Sequence, residues 1–145
     1  MQLADPNLHQ RLLEMCDCYL ETDFAKQLNV ISHGHSKDLD EDAIKYLALA
    51  IMYGVSEQAD ELKMKKKKDG KIKVLLQIDG EKKALPIPPV ALFDRMLQMM
   101  EAILHLEKDG GELPLALGLR TSQLELQVKV KEKEDETSMK ITYPA

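Results

Sequence analysis

Tryptophan is absent from this 145-residue chain, and aromatic residues together make up 4% of it. The core must therefore be aliphatic, with Leu, Met, Ile and Val carrying the apolar load, and there is no aromatic interleaving of the kind that stacks nucleic-acid bases. Cysteine occurs twice, at Cys16 and Cys18. Two positions apart in a helix their side chains diverge by roughly 200°, which excludes an easy local disulfide, so reduced thiols in a cytoplasmic setting are expected. No C-x-x-C pair is present to make a zinc signature. No apolar run reaches the length of a membrane span. Met1–Gln10 is polar and acidic where a signal peptide would need a basic and then an apolar stretch, so none is expected. A phosphate-cradling loop is missing too, because Gly70-Lys71 runs into Ile72 rather than Ser or Thr. Autonomous ATPase activity is therefore not expected, and neither is a cofactor. A net charge of −5 argues against a general nucleic-acid binder, since phosphate binding is driven by a basic surface.

What the sequence does contain is two kinds of periodicity. Asp5-Pro6 reads as a cap followed by proline in a first helical turn. From Leu8 onward Leu12, Met15, Tyr19 and Leu20 recur at three- and four-residue spacing, which predicts one amphipathic helix to about Leu28. Ser32–Lys37 reads as a loop. Asp38 or Asp40 can cap a second helix whose buried side is Ile44, Leu47, Ala48, Ile51 and Met52, with Gly54 placed to end it in a left-handed conformation. A helical hairpin over residues 1–55 is the expectation, joined to an α+β domain over 56–145.

In that second part the period changes to two. Leu62 and Met64 alternate with Lys63, Lys65 and Lys67, and Ile72, Val74, Leu76 and Ile78 alternate with polar residues through Lys71–Gly80. Asp69-Gly70 and Asp79-Gly80 flank this stretch as hairpin turns, so a three-strand meander ending near Leu85 is predicted. Pro86, Pro88 and Pro89 stop it and open a helix, Pro89–Glu107. Two Leu- and Val-rich strands and a third over Met139–Tyr143 follow. The order β-β-β-α-β-β-β favours an antiparallel sheet with one long helix packed across it.

The C-terminal portion, about Val55–Tyr143, resembles the small PAS-like domain that precedes the motor core in the ATPases of type II secretion and type IV pilus machines. Ile78-Asp79-Gly80, the proline-led helix at Pro88-Pro89, and Asp109-Gly110 before a paired set of strands carry the likeness. This chain has Leu76-Gln77 where the family usually has an arginine, and Glu61-Leu62-Lys63-Met64-Lys65 in place of its acidic-histidine strand. What the resemblance implies is the fold of an accessory domain without the activity of the ATPase.

Candidate sites divide into chemistry and contact. His33-x-His35 is the best metal candidate, with Cys16, Cys18 or Asp38 as further ligands, set against a plain polar loop. Carboxylates are too numerous to single out a pair. The lysine run is the strongest charge feature. Lys63, Lys65, Lys67 and Lys71 are candidates for docking an acidic partner surface or nucleic acid, set against an edge strand protected from aggregation by its lysines. The helix after Pro89 carries Met96, Met99 and Met100 on a stripe too broad for a sheet alone, so either the N-terminal helices or a second copy, in a homodimer, must cover it, and these residues are the candidates for that contact. The expected function is a non-enzymatic interaction or regulatory module with a protein partner. A small-ligand sensor using a helix–sheet pocket is the alternative.

Overall fold

The computed structural model describes residues 7–18, 23–33, 38–104, 110–118 and 123–144. Four helices and six strands follow in the order α1 (Leu8–Cys18), α2 (Phe24–His33), α3 (Leu39–Ser56), β1 (Glu61–Lys67), β2 (Ile72–Ile78), β3 (Glu81–Ala84), α4 (Val90–Leu104), β4 (Gly110–Gly118), β5 (Gln123–Glu132) and β6 (Glu136–Thr142). The strands make one antiparallel sheet in the order β3-β2-β1-β6-β5-β4. The fold is α+β, as the change of period indicates.

Each meander is local, and the two are fused along β1 and β6. Leu62 stands opposite both Leu76 and Ile141, and Met64 opposite both Val74 and Met139. These side chains are buried, because period-two alternation sends them all to the helix-covered face. The edges are β3, four exposed residues long, and β4, which carries Pro114. Short charged strands and proline are both devices that discourage further pairing. At β4 the His9 Nε2–H donates to the Ala116 carbonyl at 2.8 Å, which brings α1 onto that edge.

The N-terminal region contains two helices where the stripe predicted one. Asp23 starts the second: its carboxylate accepts from the Lys26 amide at 3.1 Å, satisfying a donor in the first turn. Phe24 then stacks on Tyr53 with ring centroids 5.7 Å apart, so α2 packs against α3. Tyr19 and Leu20 lie outside the described residues, as do 34–37 of the expected loop. Asp38 caps α3, accepting from the Glu41 amide at 3.0 Å.

Gly54 does not end α3, which continues to Ser56. Its role is close approach. A Cβ there would sit 2.1 Å from the Tyr143 hydroxyl oxygen, and that hydroxyl donates to the Ile51 carbonyl at 2.9 Å. Tyr143 thus bolts the end of the sheet to α3 across a space only glycine leaves open. Of the two hairpin turns, Asp79-Gly80 has both residues at positive φ, whereas at Asp69-Gly70 only the glycine does. The second is the longer type in which a left-handed glycine completes the loop.

Core residues of α1, α2, α3, α4 and the sheet form one cluster. Arg95 ties α4 to the buried Asp40 of α3. Tyr46 of α3 donates to the Pro86 carbonyl, fixing the proline segment that leads into α4. Gly54→Ala, which in an open helix would stabilise, is expected to destabilise this protein by about 1–3 kcal/mol through overpacking against Tyr143. Urea unfolding measures it, and a neutral or stabilising result would contradict the packing.

Candidate interaction surface

Helices cover one side of the sheet, and the same alternation that buries Leu62 and Met64 turns Lys63, Lys65 and Lys67 to the other. On β2 this places Lys73 on the open side, on β5 Lys129 and Lys131, and on β6 Lys140. The register brings them together. Lys65 stands opposite Lys73, Lys63 opposite Lys140, and Lys140 opposite Lys129. Ser138 separates Lys65 from Lys131 in the neighbouring row. Seven lysines from four strands thus form one patch over a protein whose net charge is −5.

Acids on this face stand at its margins. Glu61 and Glu136 open their strands, Glu125 lies near the start of β5, and Glu112, opposite Lys129, is on the edge strand β4. On the helix side Lys66 meets Asp94 and lies over the Phe93 ring, and Arg11 of α1 meets Glu41 at 2.9 Å. The crowding on the open face shows in Lys131, whose pKa is lowered by the neighbouring charges of Lys129 first, then Lys133, with Lys140 adding to them. Like charges directly opposite across strands are destabilising. Protection of an edge does not account for the arrangement, because β1 is an interior strand between β2 and β6.

The two halves of the sequence-predicted site separate. Lys65, Lys67 and Lys71 come together with Lys73 around a depression of about 210 Å³, and Lys63 belongs to the same face. Met96, Met99 and Met100 do not join them. All three are 0% exposed, because α3 covers the flank of α4 that the sheet leaves bare. The surplus apolar stripe that suggested a second copy is met within the chain, and these methionines present no surface for docking.

Among the described residues no group of three His, Cys, Asp or Glu side chains is placed to hold a metal ion. The His33 side chain and His35 fall outside what is described. Cys16 is buried, and desolvation, assisted by Asp17, pushes its thiol up to about 12, so it packs as a small apolar group; Cys18 is exposed. No helix among the described residues is long and apolar enough to cross a membrane.

Two sites were not legible in the sequence. One is a pocket of about 410 Å³ between the end of α3 and the end of the sheet, lined by Gln58, Asp60, Leu124 and Tyr143 among others. The other is a carboxyl pair, Glu101 of α4 with Glu132 of β5. Burial first, then the hydrogen bond and charge of Glu132, push Glu101 up to about 7. The Glu101 Oε2 is buried without a hydrogen-bond partner. The residues are far apart in sequence and on different elements, so no local pattern could mark them.

Comparison of the chain with protein-family models and with curated proteins finds no match to either. The functional reading therefore rests on the geometry of the lysine face.

Two outcomes follow from this electrostatics. Lys140→Gln, which removes the residue shared by two lysine pairs, is expected to stabilise the isolated protein by roughly 0.2–1 kcal/mol at low ionic strength, with the gain shrinking as salt screens the repulsion; thermal melts at two salt concentrations measure it. At Glu101 the folded chain holds a proton that the unfolded chain releases nearer 4.5. Stability should therefore fall as pH rises from about 4.5 to about 7. Glu101→Gln is expected to flatten that decline in a series of urea melts.

Proposed function

We propose that this protein is a non-enzymatic interaction module that docks an acidic protein surface on the open lysine face of its sheet. The observation that carries the proposal is the set of direct cross-strand lysine pairs on interior strands. Such pairs lower the stability of the isolated fold. An anionic partner turns that internal repulsion into attraction, and charge complementarity of this kind sets orientation and association rate. A protein partner is favoured over nucleic acid by the acidic margins of the patch and by the absence of tyrosine, phenylalanine and histidine from the open face of the described strands.

A role as an accessory domain, of the sort found ahead of secretion and pilus motor cores, is part of this proposal. The meander–helix–meander order and the Ile78-Asp79-Gly80 turn, formed with both Asp79 and Gly80 at positive φ, support it. A cytoplasmic setting is likewise proposed, on the strength of two free cysteines. The second reading, a small-ligand sensor, draws on the pocket at the end of α3. It ranks lower because the Tyr143 hydroxyl is already engaged by the α3 backbone, leaving Gln58 and Asp60 as the main polar side chains at the pocket.

Titration with poly-L-glutamate, a surrogate for an acidic protein surface, tests the first reading by backbone and lysine-side-chain NMR. Shifts are expected for Lys63, Lys65, Lys129, Lys131 and Lys140, and they should be abolished by the pair of changes Lys63→Glu and Lys140→Glu. Shifts centred on α1–α4, or equal shifts in the charge-reversed variant, would contradict it. Tighter binding of duplex DNA than of poly-L-glutamate at matched salt would move the partner class to nucleic acid.

A further inference from the structure

Within the lysine face, the β1–β2 hairpin end has a geometry of its own. Lys65 and Lys73 face each other across the strand pair, and two residues further along β1 the Lys67 amide donates to the Lys71 carbonyl at 2.9 Å. Strand spacing puts the four Cα positions at the corners of a rectangle of roughly 5 by 7 Å. The Gly70 bend is what returns Lys71 beside Lys67, and the one carboxylate in that turn, Asp69, accepts from the Lys71 amide at 3.0 Å. The depression between these residues, about 210 Å³, is lined by Lys65, Lys67, Lys71 and Lys73 and by no acidic residue. The nearest acid by register is Glu136, opposite Lys67 on the β6 side.

From this cluster we infer a binding site for a linear oligophosphate, a di- or triphosphate chain, seated among Lys65, Lys67, Lys71 and Lys73. Four lysines lining one small space match an anion that carries about four charges on a chain a few ångströms long. A single carboxylate neutralises one of them, and an extended acidic protein surface cannot enter a depression of this size. The phosphate chain is held and not cleaved. No glycine-rich backbone loop wraps it, and the described residues lining the site include no carboxylate to carry magnesium. No aromatic ring lines the site either, so a nucleoside attached to the chain gains no stacking. The inference stands apart from the docking of a protein, which also draws on β5 and β6.

Isothermal titration with inorganic tripolyphosphate at about 0.15 M salt tests it, with the intact chain and two double variants whose folding is checked by circular dichroism. One tripolyphosphate per chain is expected. Lys67→Gln with Lys71→Gln should weaken it by about tenfold or more, while Lys129→Gln with Lys131→Gln, on the same face but away from the depression, should change it by less than about twofold. Glu136→Gln should tighten it, and ATP should bind no more tightly than tripolyphosphate. Absence of saturable binding would overturn the inference. So would equal weakening by the two double variants, which would mean diffuse attraction to the whole face, and so would ATP binding more tightly than tripolyphosphate, which would mean that the base is read.

Discussion

The pairing of β1 with β6 is the constraint on which the rest of the molecule depends. It joins residues near 61 to residues near 142, so it closes the longest loop in the sheet and carries a corresponding entropic cost. Once made, it fuses two three-strand meanders into one six-stranded sheet. The register also decides which side chains share a face. Leu62, Met64, Met139 and Ile141 meet beneath the helices, and with the same stroke Lys63 and Lys65 are set beside Lys140 and Ser138 in the open. Core and charged face are two consequences of one alignment, and a slip of one residue would exchange them.

The helical layer then completes what the sheet begins. A sheet this wide needs more cover than one helix gives, and α4 carries more apolar surface than the sheet can bury. α3 answers both requirements, being buried over most of its length. Its contact with the sheet end is closed by Tyr143 against Gly54, and its contact with α4 by Arg95 and Asp40. The buried Asp40 keeps its charge partnered, as a carboxylate removed from water requires. The stability built up on this side of the sheet is what allows the other side to keep unfavourable lysine neighbours.

Much of this was legible in the sequence, and the failures have physical causes. The alternation of Ile72, Val74, Leu76 and Ile78 and the Asp79-Gly80 turn define the first meander because both are local signals. Helix α3 was likewise readable, whereas the choice of Asp38 over Asp40 as its cap was not. The break between α1 and α2 was marked only by Asp23, a single capping residue inside a stripe that continued through it. Gly54 looked like a helix end because its partner, Tyr143, is distant along the chain. The three methionines looked like a docking surface for the same reason: the width of an apolar stripe says that it must be covered, and says nothing of which helix covers it. The lysines of β1 could be counted in the sequence. That β1 is an interior strand, and that Lys129 and Lys140 complete the patch, depends on the β1–β6 alignment.

We propose that the open face of the sheet is held ready for an acidic partner. Quantitative lysine acetylation read by mass spectrometry, applied to the purified protein and to the same protein in an extract of its native host, tests this most directly. Lys63, Lys65, Lys129, Lys131 and Lys140 are expected to become protected in the extract, while Lys45 on α3 and Lys26 on α2 react as before. Equal labelling of all these lysines in both settings, or protection confined to the helical side, would contradict it.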